Sequence, residues 1–154
     1  MPSTVDASIR RVLGPSALAV LSFTAFLAPA SAAEVRILPP GAIAFKADAN
    51  VPGVSVALVD GNPKEGPYTV RARFAPNVKI PAHFHPDTRV VTVISGTYYF
   101  GQGDSYDEKA IKGYGPGTVI VVPANTPHYA GSAGDGPEVQ ESGVGPTGIT
   151  LTGK

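Results

Sequence analysis

With 154 residues, 12 basic and 12 acidic side chains and no cysteine, the chain has room for one domain with a real core and nothing sulfurous to brace it. The charges cancel and the sequence carries no basic stripe, so nucleic acid is not an expected partner. Glycine (18) and proline (16) are numerous but scattered between short β-branched and aromatic runs, a pattern of strands joined by tight turns rather than of repeats or disorder.

Residues 1–33 read as a signal peptide. Arg10 and Arg11 precede an apolar stretch from Val12 to Leu27, and Ala-Pro-Ala-Ser-Ala-Ala at 28–33 leads into Glu34. A charged start, an apolar middle and a small-residue end are the three parts of an export signal. Cleavage is expected after Ala32 or Ala33, giving a periplasmic or secreted protein. Gly14, Pro15 and Ser16 interrupt the apolar run, so no stable membrane anchor is expected after cleavage. The paired arginines followed by Val12 and Leu13 weakly resemble a twin-arginine signal; paired arginines are common in ordinary signals, which is the favoured reading, and the export route stays open.

Residues 34–154 are expected to form a single all-β domain. Strand-like runs recur at 35–38, 42–46, 54–59, 68–74, 78–84, 89–95, 97–100, 118–122, 128–131, 138–142 and 147–151, separated by turn residues such as Gly-Asn-Pro at 61–63 and Gly-Pro-Gly at 115–117. Only Asp104–Ile111 hints at a helical period. In Tyr68–Phe74 the charged Arg71 and Arg73 share one face, as in a strand with one wet side. Val90–Ile94 and Val119–Val122 are apolar on both faces, which predicts strands covered on both sides within a sandwich or closed barrel.

All three histidines lie in two stretches, Ile80-Pro-Ala-His83-Phe-His85-Pro and Pro123-Ala-Asn-Thr-Pro-His128-Tyr. Two apart on a strand, His83 and His85 point the same way and Phe84 the other. Such a pair can share a metal ion, and a third imidazole from a distant strand completes a facial set with open coordination positions. A His-x-His pair by itself is weak evidence, because strands carry such pairs without any metal.

The frame around the pair decides more. Asn77, His83, His85 and Gly96 fall on the spacing of glycine, His-x-His and closing glycine in one signature; Gly117, Pro123, Asn125, His128 and Ser132 fall on a second without a gap. In both spacing and order the chain resembles the cupin superfamily over roughly residues 40–152. The resemblance implies a double-stranded β-helix barrel holding one divalent transition metal, Fe, Mn, Zn or Ni, on His83, His85 and His128. It also implies a small-molecule ligand or substrate in the barrel and pairing of barrels as homodimers through sheet edges. Asn77 and Asn125 stand where the family has glycine, and asparagine tolerates the left-handed backbone that such glycines serve.

One departure matters more: the family's fourth ligand is a glutamate, and its position here is Arg89. A guanidinium cannot ligate a metal. If no bulge intervenes, parity places Arg89 on the same strand face as the two histidines. It can turn away to pair with Asp87 or Glu141, it can reach into the cavity and bind an anionic substrate group, or the metal site has been lost. Gln140 is a candidate fourth donor through its amide oxygen. Phe84, Tyr98, Phe100, Tyr114 and Tyr129 are candidates for the barrel mouth, most of them better read as core, with Tyr129 pointing out of the cavity by parity.

Two functions follow from different classes. The first is a metal-dependent enzyme on a small molecule, of dioxygenase or other chemistry; the second is a non-catalytic cupin that binds or senses a metal or small ligand. Fold does not choose between them.

Overall fold

The structure, a computed structural model, describes residues 34–153; the signal peptide expected at 1–33 lies outside the described residues. The barrel belongs to the unit that begins at Ile37. Its strands are β1 (Lys46–Ala47), β2 (Val54–Gly61), β3 (Gly66–Phe74), β4 (Lys79–Phe84), β5 (Arg89–Ser95), β6 (Tyr98–Gln102), β7 (Lys112–Tyr114), β8 (Val119–Val122), β9 (His128–Ser132), β10 (Glu138–Gly145) and β11 (Thr150–Leu151). No α-helix occurs among the described residues.

The strands form two antiparallel sheets, one in the order β1-β2-β3-β10-β5-β8 and the other in the order β11-β4-β9-β6-β7. From β4 onward the chain crosses between sheets at nearly every turn, so residues close in sequence face one another across the interior. The core between the sheets holds Phe74, Ile80, Val91, Val93, Tyr98 and Val139 among others. Val93 and Val139 are register partners on β5 and β10 and are 1% and 0% exposed. Burying each such side chain contributes about 1.5–3 kcal/mol.

Turn chemistry agrees with the spacing. Asn77 and Asn125 adopt φ of 61° and 58°, the left-handed conformation for which a glycine is the usual choice. At Gly96, φ is 68° and an added Cβ would lie 2.9 Å from the Cα of Pro137, so both the backbone and the space exclude a side chain.

Several sequence expectations are corrected. Residues 35–38 form no strand, and the run at 42–46 is reduced to a 3-10 turn at Pro40–Ala42 followed by the short β1, because consecutive prolines fix φ and withhold ladder donors. Asp104–Ile111 is not a helix. The amides of Ala110 and Ile111 both reach the carbonyl of Asp107, which closes a single turn before the chain enters β7, a strand whose central glycine hid it. The outer faces of β5 and β8 are uncovered: Val91, Val93 and Val122 point inward, while Val90 is 40%, Ile94 39%, Val119 57% and Val121 61% exposed.

Candidate metal centre

The two histidine stretches meet because β4 and β9 are paired, with His83 and His128 as register partners. His85 follows one residue beyond β4, and Phe84 between them does not line the cavity. Ring centroids lie 4.3 Å apart for His83 and His128, 4.9 Å for His83 and His85, and 5.2 Å for His85 and His128. All three side chains are buried.

Each ring is oriented by the backbone. Nδ1 of His83 lies 2.8 Å from the Pro81 carbonyl, Nδ1 of His85 2.6 Å from that of Gly148, and Nδ1 of His128 2.8 Å from that of Thr126. A carbonyl can only accept, so each Nδ1 is the protonated nitrogen and each Nε2 carries a free lone pair. The candidate donor atoms of the three residues lie within 4.8 Å of one another. Three neutral, convergent imidazole nitrogens held by backbone acceptors are a donor set that fits a first-row divalent ion.

Burial makes these rings resist protonation. The His83 pKa falls to about 4, chiefly through desolvation, with His128 and Arg89 adding repulsion against the support of the Pro81 carbonyl. For His85 it falls to about 3, through desolvation and then the charge of Arg89. His128 is lowered by desolvation and Arg89, opposed by Thr126 and Glu141. Unfolded histidines protonate near 6.5, so in metal-free protein the unfolded chain binds more protons below that pH. Stability is therefore expected to fall as pH drops from about 6.5 through about 4 and 3. Urea midpoints measured with chelator present will decline between pH 7 and 5; a flat profile would remove this account of the buried rings.

Arg89 does not share a strand with the histidines, contrary to the parity expectation. Pro86–Thr88 carries the chain to the other sheet, where Arg89 opens β5 and faces the cavity from the opposite wall. Two of the sequence alternatives are thus met together, since it lines the cavity and is also paired. Nη1 donates to Glu141 Oε2 at 2.7 Å and Nη2 to Thr147 Oγ1 at 2.8 Å. Nε lies 3.8 Å from Asp87 Oδ2 and has no hydrogen-bond partner. Asp87 in turn accepts from the Tyr68 hydroxyl at 2.5 Å and from Thr147.

Gln140 is not brought to the histidines. Its side-chain oxygen accepts from Arg71 Nε at 3.2 Å, and it does not line the cavity. Its neighbour Glu141 does, as strand alternation from the buried Val139 requires. Among the aromatic candidates, Tyr98 and Phe100 line the cavity, and Phe100 stacks on His128 with centroids 5.3 Å apart. Phe84, Tyr114 and Tyr129 do not line it, and Tyr129 packs on Tyr106 on the far side of the sheet. Tyr68 and Thr147 were missed. Tyr68 alternates with the inward Val70, Ala72 and Phe74 and was legible; Thr147 sits in a loop, where no period exists to place it.

The cavity has a volume of about 330 Å³ and is walled mostly by valines, Phe74, Ile80 and Phe100. Its polar groups are the three imidazoles, Arg89, Glu141, Thr147, the hydroxyls of Tyr68 and Tyr98 and, among the lining residues before β2, Asp48 and Asn50. Burial pushes both tyrosine hydroxyls up from their usual range, at Tyr68 with help from the bond to Asp87.

A family model described as Cupin matches residues 64–148. Among solved structures, the polyketide cyclase RemF from Streptomyces resistomycificus is similar with a TM-score of 0.66 at 14% identity, over 77% of this chain and 85% of that one. A protein with a double-stranded β-helix domain from Klebsiella pneumoniae gives 0.60 at 20% identity, over 79% and 100%. The DMSP lyase DddQ from Ruegeria pomeroyi gives 0.58 at 13% identity, over 73% and 62%. At these identities the likeness is one of fold. The comparison with curated proteins found no match.

Proposed function

The chain belongs to the cupin family, and we propose that it is a metal-dependent enzyme whose His83, His85 and His128 hold one divalent transition-metal ion beside a small organic molecule in the barrel. The observation that carries this reading is the anchoring of all three Nδ1 atoms to backbone carbonyls, which leaves three Nε2 lone pairs for one ion. When bound, such an ion supplies Lewis acidity and open coordination positions to an oxygen-bearing ligand. The nitrogen-only set suits Fe, Mn, Zn or Ni alike.

The chain's own groups divide the remaining work. The valine and phenylalanine walls exclude water and hold the apolar body of the ligand. Arg89, bonded to Glu141 and Thr147, sets a fixed positive charge at the opposite wall. Two structural relatives carry enzyme names, cyclase and lyase, which supports catalysis over passive binding, and neither substrate is carried over. Elemental analysis of protein purified without chelators, followed by oxygen-uptake and small-molecule turnover screens, tests the reading. One divalent ion per chain is expected, and metal-free protein that takes up no added Fe, Mn, Zn or Ni would overturn it.

The protein acts outside the cytoplasm, a reading supported by Arg10, Arg11 and the apolar stretch from Val12 to Leu27. It pairs as a homodimer, supported by the uncovered Val90, Ile94, Val119 and Val121 on β5 and the edge strand β8. Light scattering at tens of micromolar is expected to give twice the chain mass; a monomer would remove the pairing.

A further inference from the structure

Resting on the metal reading above, we infer that Glu141 is the residue that takes up and returns a proton on the molecule in the cavity, and that Arg89 positions it for this task. Position 89 lacks the expected carboxylate, yet a carboxylate faces the cavity from the adjacent strand. β10 lies beside β5, with Glu141 as register partner of Val91, and the Glu141 side chain lines the same cavity as the three histidines.

Its bonding leaves it free to act. Among the described residues its one hydrogen bond is from Arg89 Nη1 to Oε2, so Oε1 has no protein partner. It stands outside the three-histidine cluster whose donor atoms converge, which makes it a neighbour of the metal position and not a ligand. Its charge is felt at the site nonetheless, since it raises the pKa of both His128 and Tyr98.

The other candidates are engaged elsewhere. Asp48 also lines the cavity, but its Oδ1 caps the turn before β2 by accepting from the amides of Asn50 and Val51. Asp87 has both oxygens bonded, one to Tyr68 and one to Thr147, and does not line the cavity. The Tyr68 hydroxyl is given to Asp87, and that of Tyr98 is made a poorer acid by burial. The imidazoles have their Nδ1 atoms tied to carbonyls and their Nε2 atoms turned to a common point. Arg89 is itself braced by Thr147 and Asp87, so the guanidinium whose Nη1 holds Glu141 is fixed before any ligand arrives.

The step is a proton transfer. An O–H bond of the ligand, or a C–H bond next to a carbonyl, breaks; the hydrogen joins Oε1; the electron pair stays on the ligand, and no oxidant is needed. The substrate class that fits is a small, largely apolar molecule with such an acidic hydrogen.

Acetohydroxamic acid is a suitable probe, because it gives up one proton when it binds a metal as hydroxamate. Titration calorimetry of the zinc-loaded full chain near neutral pH, in two buffers of different ionisation enthalpy, counts the protons released. The wild type is expected to release almost none and to develop the infrared band of a protonated carboxylic acid. Glu141→Gln, with wild-type zinc content and circular dichroism, is expected to release close to one proton and show no such band. Arg89→Lys, which keeps the charge but not the fork, should release the proton as Glu141→Gln does; a wild-type count there would remove its positioning role. Equal counts in wild type and folded Glu141→Gln would overturn the assignment, and no acid band in the wild type would overturn it even if Glu141→Gln fails to fold. Wild-type protein that takes up no zinc fails before the hydroxamate is added and overturns the metal reading together with this one.

Discussion

His128→Ala is expected to abolish stoichiometric metal binding while leaving a folded, mainly β protein. His128 stands opposite His83 in the ladder and supplies one of the three convergent nitrogens among the described residues, and Gln140, the fourth donor expected from the sequence, is turned to Arg71. Loss of an outer partner of a metal ligand typically lowers affinity by about 10–100-fold, and loss of a ligand itself should exceed that. The fold survives because His128 opens β9 at the cavity and the ladder of β9 with β4 and β6 runs on through Ala130 and Gly131. The truncation leaves a gap beside Phe100, which stacks on the imidazole, and about 1–3 kcal/mol of stability is expected to go with it. Elemental analysis and circular dichroism together check the result. Full metal occupancy in the variant would show that the three imidazoles do not form one site.

Much of this site was legible because its determinants are local or periodic. The spacing around His83, His85 and His128 placed three imidazoles together, and asparagine's tolerance of positive φ explained how Asn77 and Asn125 fill glycine positions. Period-two alternation settles the face of Glu141 once Val139 is known to be buried. What escaped the sequence depends on where the chain changes sheets. Parity holds only along one strand, and the crossing at Pro86–Thr88 voided it for Arg89. The doubly apolar runs of β5 and β8 misled for another reason: apolar composition reports that a face avoids water, not whether this chain or another molecule covers it. Thr147, in a loop between β10 and β11, had no pattern to betray it.

Arg89→Met is expected to destabilise the metal-free protein by about 3–5 kcal/mol and to tighten metal binding about tenfold or more. The first effect follows from the charges left behind. Arg89 and Glu141 have side chains 15% and 14% exposed and Asp87 5%, and breaking a buried pair by removing one partner typically carries that penalty because the survivor stays desolvated. Glu141 loses its one hydrogen bond, and Thr147 loses the donor to its hydroxyl. The second effect has the opposite sign and the same cause. Arg89 lowers the pKa of all three histidines, so its positive charge reaches the point where their nitrogens converge and repels a cation there. Removing it leaves two carboxylates to attract that cation, and a change of about 1.4 kcal/mol is a factor of ten in affinity. Urea unfolding with and without zinc separates the two: the variant should be much weaker than wild type in chelator and regain about 1.4 kcal/mol of the difference for each tenfold gain in affinity once zinc is added. A loss under about 1 kcal/mol in chelator would mean that the pair behaves as an exposed one, and unchanged zinc affinity would mean that the charge at position 89 is screened from the histidines.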